Sequence, residues 1–244
     1  MARIVFADDG IEFDGKTPEQ KPLGGVESSV VNLMQELAAR GHEILVRNMC
    51  ASPLVYKGVD WAPIHNDTPY GNMPDEADLY IANRGDKLID LMPKAKRTVF
   101  WIHNPAKFLM KWRYLKKLWR VRPAIVFIGD YHATTYPKWA PGGDRFVIPY
   151  GIPDMFRKAE PASGIPGPRA VFTSNPLRSL DWLLDQWRNH IQPRVPGAEL
   201  HVFSGAATYG SVGDAKSQAM EKVLKQARGL ADKGVVLRGP VPKA

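Results

Sequence analysis

Short apolar segments alternate with amphipathic helical segments along the whole chain, and this alternation restricts the fold more than any other feature of the sequence. Residues 3–7 have the pattern of a buried strand, and residues 26–40 that of a helix with apolar side chains every three or four positions. Gly41 ends this helix, and the next strand begins within residues 42–46. Further strands are predicted at residues 78–82, 98–102, 124–128 and 145–148. The alternation predicts an α/β fold with a mostly parallel sheet and helices on both faces.

The composition changes after residue 156, where residues 157–168 contain three prolines and two glycines, as a linker does. The strand–helix pattern then restarts at residue 169 and continues to a strand at residues 235–237. We therefore predict residues 1–156 to form a Rossmann-like N-terminal domain, residues 157–168 a linker, and residues 169–244 the first half of a second Rossmann-like domain. The last segment is short for a complete domain of this kind.

The charge of the chain is concentrated in one segment. Lys and Arg number 33 against 25 Asp and Glu, a formal net charge of +8. Residues 91–129 hold ten basic residues and no acidic one, which leaves the rest of the chain close to neutral. The one cysteine, Cys50, excludes an internal disulfide framework, and no apolar run approaches the roughly 18 residues of a membrane helix. These features predict a cytoplasmic protein.

A pair of glycines, Gly24 and Gly25, opens the first helix after a polar loop. Glycines at such a point let backbone N–H groups approach a ligand, and a helix N-terminus favours a phosphate. The alternative is a flexible loop in which Glu27 only stabilises the first helical turn.

His103 directly follows the strand at residues 98–102, and ligands of parallel sheets bind beyond the carboxyl ends of strands. The alternative is a structural histidine. The other histidines show no metal-ligand spacing, so no metal site is expected. The chain has neither a P-loop nor a nucleophile elbow, which argues against the nucleotide triphosphatases and hydrolases that carry them.

A second candidate anion site lies where the second domain begins. A strand leads there into Ser174 and Asn175 and then to Arg178, just before a helix. An ordinary turn is the alternative. Two such sites, one in each α/β domain, suit a ligand with a central diphosphate.

Five ordered segments resemble the retaining GT-B glycosyltransferases of family 4. Residues 24–27, Gly-Gly-Val-Glu, and 40–44, Arg-Gly-His-Glu-Ile, are similar to their G-G-x-E and R-G-H-E/D-V motifs. Residues 147–152, Val-Ile-Pro-Tyr-Gly-Ile, resemble the inter-domain I-P-N-G-V segment. Residues 174–184 resemble the motif that opens the second domain, and residues 196–205 the P-x-A-x-L…G segment that follows it.

The resemblance implies a hexosyltransferase that takes a nucleotide-diphosphate sugar as co-substrate, retains the anomeric configuration, and needs no cofactor or metal. Gly24, Gly25 and Glu27 would then lie at the donor diphosphate or sugar, and His103 would be the catalytic residue over the donor sugar. Tyr150 and Gly151 would belong to the hinge between the acceptor-side N-terminal domain and the donor-binding second domain.

In the second domain, the resemblance implies that Arg178 neutralises the diphosphate, with Ser174 and Asn175 beside it. The sequence departs from the family at Asn175, where a cation is usual, and at Ser179, where glycine is usual. The E-x7-E region of the family would fall after Ala244. We therefore expect this chain to be part of a longer enzyme, with little activity alone.

The basic segment predicts a helix over residues 107–122 with an aromatic stripe packed on the sheet. The stripe consists of Phe108, Trp112, Leu115 and Trp119. The cations opposite it either face water or bind an anionic membrane surface; they are Lys111, Arg113, Lys116, Lys117 and Arg120. Many relatives act on lipid-linked acceptors, so the resemblance favours peripheral attachment to the inner face of the membrane. Nucleic acid fits poorly, because the aromatic side chains lie on the stripe predicted to be buried.

Two other functions fit the same sequence. One is a non-catalytic α/β module that docks on an anionic membrane or an acidic partner through residues 107–122. The other keeps the two-domain fold in a sugar-nucleotide epimerase or a phosphorylase. The donor sugar, its base and the acceptor are not specified by these patterns.

Overall fold

A computed structural model describes residues 1–65, 73–160, 163–164, 167–205 and 214–241. The chain divides into two compact units. The first comprises Met1–Lys16 and Gly25–Pro153, and the second comprises Thr17–Gly24 and Asp154–Ala244.

The first unit contains an eight-stranded sheet with the strand order β3-β4-β2-β1-β5-β6-β7-β8. All neighbouring strands of this sheet are parallel except β3 and β4, which form an antiparallel pair. The strands are β1 (Arg3–Asp8), β2 (Glu43–Asn48), β3 (Leu54–Tyr56), β4 (Val59–Pro63), β5 (Leu79–Asn83), β6 (Thr98–Trp101), β7 (Ala124–Phe127) and β8 (Arg145–Val147).

The second unit contains a parallel three-stranded sheet in its described residues, with the order β11-β10-β9. Its strands are β9 (Arg169–Phe172), β10 (Glu199–Val202) and β11 (Val235–Leu237). Each unit is built on a parallel or mostly parallel sheet with helices in the connections, so the predicted α/β class is confirmed.

The α-helices are α1 (Thr17–Gln20), α2 (Gly25–Ala39), α3 (Trp112–Val121), α4 (Asp130–Thr134), α5 (Asp154–Arg157), α6 (Leu180–Gln186) and α7 (Asp214–Arg228). Two 3₁₀ turns, Asp86–Leu88 and Ala106–Met110, lie in the first unit. In the second, a π-helical turn, Trp187–Ile191, extends α6, and a 3₁₀ turn, Ala231–Lys233, precedes β11.

Each unit has its own apolar core. Tyr80, Phe100 and Phe127 lie on the adjacent strands β5, β6 and β7, each offset by two residues from the next, and are fully buried. Leu184 and Leu200 pack together in the second core. Burial of each such side chain contributes about 2 kcal/mol to folding, which makes both sheets rigid supports for the loops at their edges.

The helix predicted over residues 107–122 is wrong in extent and in its buried face. Lys111 has extended backbone angles, φ −70° and ψ 138°, and separates the 3₁₀ turn from α3. Within α3, the buried residues are Tyr114 and Leu118, which lie four positions apart on one face. Trp112 and Trp119 are 74% and 76% exposed instead.

Candidate functional site

Polar side chains lie at or just after the carboxyl ends of three neighbouring strands of the first sheet. Asp8, the last residue of β1, is in register with Asn83, the last residue of β5. Asn83 is in register with Trp101 at the end of β6, two residues before His103. The carboxyl ends of parallel strands are where such sheets bind ligands.

His103 is held by two side chains. Its Nε2 lies 2.6 Å from Oδ1 of Asn83, and its Nδ1 lies 2.6 Å from the hydroxyl of Tyr150. The rings of His103 and Tyr150 stack with centroids 5.8 Å apart and planes inclined by 11°. The structure thus brings together two predicted site residues, and Asn83 joins them.

Arg84 connects the carboxyl ends of β1 and β5 to helix α2. Its Nη2 donates to Glu27 Oε1 at 2.8 Å and to Asp8 Oδ2 at 3.2 Å. Asp8 is completely buried, whereas the Arg84 side chain is 27% exposed. Arg84 has a left-handed backbone with φ 52°, a strained conformation for a residue other than glycine. The strained turn carries the guanidinium between the end of β1 and the start of α2.

The surroundings of His103 favour its neutral form. Burial, and to a smaller extent the electrostatic effects of Arg84 and His132, lower the pKa of His103 to about 3. Burial raises the pKa of Tyr150 to about 12. A neutral imidazole and a protonated phenol can each donate and accept a hydrogen bond, which suits recognition of a hydroxyl-rich ligand.

Trp101 places an indole ring, whose N–H has no partner among the described residues, next to His103 and Tyr150. Its indole ring centroid lies 4.7 Å from that of His103. The indole N–H is buried and has no hydrogen-bond partner within the described residues. Because buried donors are normally paired, the packing around Trp101 carries the cost of one unsatisfied polar group.

The predicted glycine pair falls at the start of α2. Gly25 is its first residue, and a Cβ built there would meet no atom within 4 Å. Gly24 belongs by its contacts to the second unit. Glu27 lies on the first turn of α2 and is bound to Arg84, so its role includes more than helix stabilisation.

The predicted residues of the second unit form one turn between β9 and α6. Asn175 Oδ1 accepts from the backbone N–H of Leu177 at 2.8 Å, and the carbonyl of Asn175 accepts from the N–H of Arg178 at 2.8 Å. The hydroxyl of Ser204 donates to the carbonyl of Ser174. The Arg178 side chain is exposed and forms no ion pair with a described residue. Asn175 therefore shapes the turn, and Arg178 is its available cation.

The remaining predicted residues are Gly151 and the five cations of the basic segment. Gly151 is exposed next to Tyr150. Three cations of the basic segment pair with acidic residues that precede it: Lys117 and Arg120 with Asp90, and Arg113 with Asp86. Lys111 and Lys116 are exposed and have no acidic partner in the part of the chain that the structure describes.

The described residues form a cavity away from His103 but contain neither a cluster of metal ligands nor a membrane-spanning helix. A cavity of about 820 Å³ lies at the amino ends of β5, β6 and β7, the edge opposite His103. No group of three or more side chains that could hold a metal ion occurs among the described residues. In that same part of the chain, every helix is too short or too polar to cross a bilayer.

The sequence-based prediction missed Asp8, Asn83 and Arg84. Each is a polar residue at or just after the carboxyl end of a predicted strand, as His103 is. That position was the signal by which they could have been found.

No known protein family profile matches the chain, and no curated protein matches its sequence. Solved structures do match. A trehalose-6-phosphate synthase, OtsA, superposes with a TM-score of 0.65 at 10% identity, over 98% of this chain and 74% of that one.

Two further structures agree. A structure described as trehalose-6-phosphate from E. coli bound with UDP-2-fluoro glucose has a TM-score of 0.60 at 11% identity, over 98% of this chain and 74% of the other. WaaG, described as a glycosyltransferase involved in lipopolysaccharide biosynthesis, has a TM-score of 0.58 at 13% identity, over 98% and 70% of the two chains. The likeness covers both units, and the chain has the two-domain Rossmann-like fold of these proteins, the GT-B fold.

Proposed function

We propose that the chain is a glycosyltransferase that uses a nucleotide-diphosphate sugar as donor and retains the anomeric configuration, as family 4 enzymes do. The observation that carries this proposal is the group of His103, Asn83 and Tyr150 at the carboxyl edge of a sheet whose fold is shared with OtsA and WaaG. These side chains offer neutral donors and acceptors of the kind that bind sugar hydroxyls.

The reaction breaks the bond between the anomeric carbon and a diphosphate oxygen and forms a bond to an acceptor oxygen on the same face, and the proton of the acceptor hydroxyl passes to the leaving diphosphate. Negative charge develops on the leaving diphosphate and must be stabilised by fixed cations or N–H donors. Arg178, the available cation of the second unit, supplies this stabilisation in the proposal. His103 binds the donor sugar. No cofactor takes part in this scheme.

Titration of the purified protein against UDP-, GDP- and ADP-linked sugars tests the proposal. We expect one nucleotide series to bind, and Arg178→Gln to weaken its binding at least about tenfold, the loss expected for a charge-assisted contact to phosphate. Arg188→Gln is a matched control, because this guanidinium is also exposed in the second unit.

The product separates the proposed reaction from its alternatives. NMR of the product formed from a labelled donor distinguishes transfer with retention from epimerisation or phosphorolysis. Absence of binding to every donor would contradict the proposal.

A second proposal concerns the acceptor side: α3 docks on an anionic membrane surface at the inner face of the membrane. Trp112, Lys116 and Trp119 lie at helical spacing on one exposed face of α3, opposite the buried Tyr114 and Leu118. Tryptophan at the level of the headgroups together with unpaired lysine is the pattern of an interfacial helix. Each such lysine contributes about 1 kcal/mol on an anionic surface. A lipid-linked acceptor is the substrate that this attachment suits.

Flotation with vesicles of phosphatidylcholine containing about 30% phosphatidylglycerol tests the docking. Trp112→Ser/Trp119→Ser and Lys111→Gln/Lys116→Gln are expected to reduce binding, whereas Arg40→Gln/Lys138→Gln removes the same charge elsewhere and leaves it unchanged. Lys117 and Arg120 are avoided because each already pairs with Asp90. If all three double variants bind the vesicles as well as the wild type does, the membrane-docking proposal is overturned. The proposal of nucleotide-sugar binding is not tested by this result.

A further inference from the structure

The hydrogen bonds around His103 have a defined direction that begins at Asp8. The Asp8 carboxylate is completely buried and accepts from the backbone N–H of Gly10 at 2.7 Å and from Arg84. It also accepts from the side-chain Nδ2 of Asn83. A carboxylate paired with a guanidinium only accepts hydrogen bonds, so the amide nitrogen of Asn83 must face Asp8.

The orientation of Asn83 in turn fixes the tautomer of His103. With its nitrogen toward Asp8, Asn83 presents its carbonyl oxygen to Nε2 of His103 at 2.6 Å. Nε2 must therefore carry the proton, because an unprotonated nitrogen would place its lone pair against that oxygen. Nδ1 is then the acceptor, and the hydroxyl of Tyr150 donates to it at 2.6 Å.

We propose that Asp8 and Asn83 are positioning residues that hold His103 in the Nε2–H tautomer, so that Nδ1 is presented as an acceptor to a hydroxyl group of the ligand. Tyr150 occupies that acceptor in the unliganded protein and is displaced when a ligand hydroxyl takes its place. The identity of the ligand as a sugar nucleotide rests on the proposed function; the tautomer does not.

The chain contains an internal reference for this proposal. His132 accepts at Nδ1 from the N–H of Ile128 at 3.1 Å, and its Nε2 lies 2.6 Å from the carbonyl oxygen of Asn104. His132 is therefore held in the same tautomer by backbone groups alone. A change that acts through Asn83 must alter the spectrum of His103 and leave that of His132 as it was.

Nitrogen-15 NMR of the imidazole rings, at a pH above about 6.5, tests the tautomer directly in the ligand-free protein. In the wild type we expect His103 to be entirely Nε2–H, with a proton on Nε2 that is protected from exchange. Asn83→Leu keeps the size of the side chain but removes its carbonyl oxygen. It is expected to speed exchange of this proton at least about tenfold and to introduce the Nδ1–H form, with His132 unchanged.

Tyr150→Phe is the matched control at the other nitrogen. Because Asn83 sets the tautomer, His103 in this variant is expected to stay Nε2–H while its Nδ1 resonance moves on exposure to water. An Nδ1–H signal for His103 in the wild type would overturn the proposal. So would a switch of tautomer in Tyr150→Phe, or an Asn83→Leu spectrum identical to that of the wild type.

If Asn83→Leu perturbs His132 as well, the variant has lost its local fold. The tautomer of His103 is then decided by the spectra of the wild type and of Tyr150→Phe. Addition of UDP-glucose separates this inference from the proposed function. If UDP-glucose binds, the Nδ1 resonance of His103 must shift while Nε2 stays protonated; a bound ligand that leaves Nδ1 unmoved would overturn its role as the hydroxyl acceptor. Failure of UDP-glucose to bind counts against this donor alone, and the ligand-free spectra still decide the tautomer.

Discussion

Nη2 of Arg84 lies 2.8 Å from Oε1 of Glu27, which joins the end of β5 to the first turn of α2. Only 8% of the Glu27 side chain is exposed, so water replaces this contact poorly. Glu27→Ala leaves Arg84 bound to Asp8 alone and is expected to lower the free energy of unfolding by about 2 kcal/mol. Urea denaturation measures the loss.

The surface ion pair Arg3–Glu43 is the control for this prediction. Its atoms lie 3.1 Å apart, but both side chains are more than 40% exposed. Glu43→Ala is expected to cost less than about 1 kcal/mol. Equal losses in the two variants would show that Glu27 behaves as an ordinary surface residue.

Alanine at Gly10 and at Gly25 is expected to have opposite effects. A Cβ at Gly10 would lie 2.6 Å from Nη2 of Arg84 and 2.7 Å from Oδ1 of Asp8, so the buried ion pair would have to shift. Gly10→Ala should lower the free energy of unfolding by about 1–3 kcal/mol.

A Cβ at Gly25 would meet nothing within 4 Å, and Gly25→Ala should leave stability within about 0.5 kcal/mol of the wild type. If a ligand approaches the backbone there, the same substitution weakens donor binding measured by titration. A large loss of stability in Gly25→Ala would instead assign this glycine to folding.

The elements could be predicted from the sequence, whereas the contacts of the site could not. Buried strands such as β1 and β6 are short apolar runs, and periodicity locates them within one or two residues. The pairing of Asp8 with Asn83 depends on β1 and β5 being neighbours, although β2, β3 and β4 intervene in the chain. Strand order is a tertiary property that local patterns do not specify.

Two local predictions failed for reasons of geometry. The hairpin of β3 and β4 was missed because its turn, in which Lys57 and Gly58 both have positive φ, lacks the Asn-Gly or Asp-Gly sequence that usually marks such turns. The buried face of α3 was misassigned because the helix carries apolar side chains on two faces, and the face of Tyr114 and Leu118, not that of Trp112 and Trp119, packs on the core.

Cys50 is expected to react slowly with thiol reagents. It is buried, and burial together with the charge of Asp14 raises its pKa from 9.0 to about 11. Since the thiolate is the reactive species, the higher pKa alone lowers the rate about 100-fold near pH 8. Labelling by Ellman's reagent in buffer and in denaturing urea measures the ratio, and comparable rates would contradict the buried position.

His103 is expected to make stability depend on pH between about 3 and 6.5. Its pKa is lowered from 6.5 to about 3 in the folded protein, so the unfolded chain binds more protons throughout this interval. The stabilisation is complete above pH 6.5 and is lost as the pH falls toward 3. Between about pH 6.5 and pH 5 the wild type should lose about 1.5 kcal/mol more than His103→Gln, which cannot titrate. Urea denaturation at the two pH values measures this difference, and parallel losses would show that His103 is protonated as readily in the folded protein as in the unfolded chain.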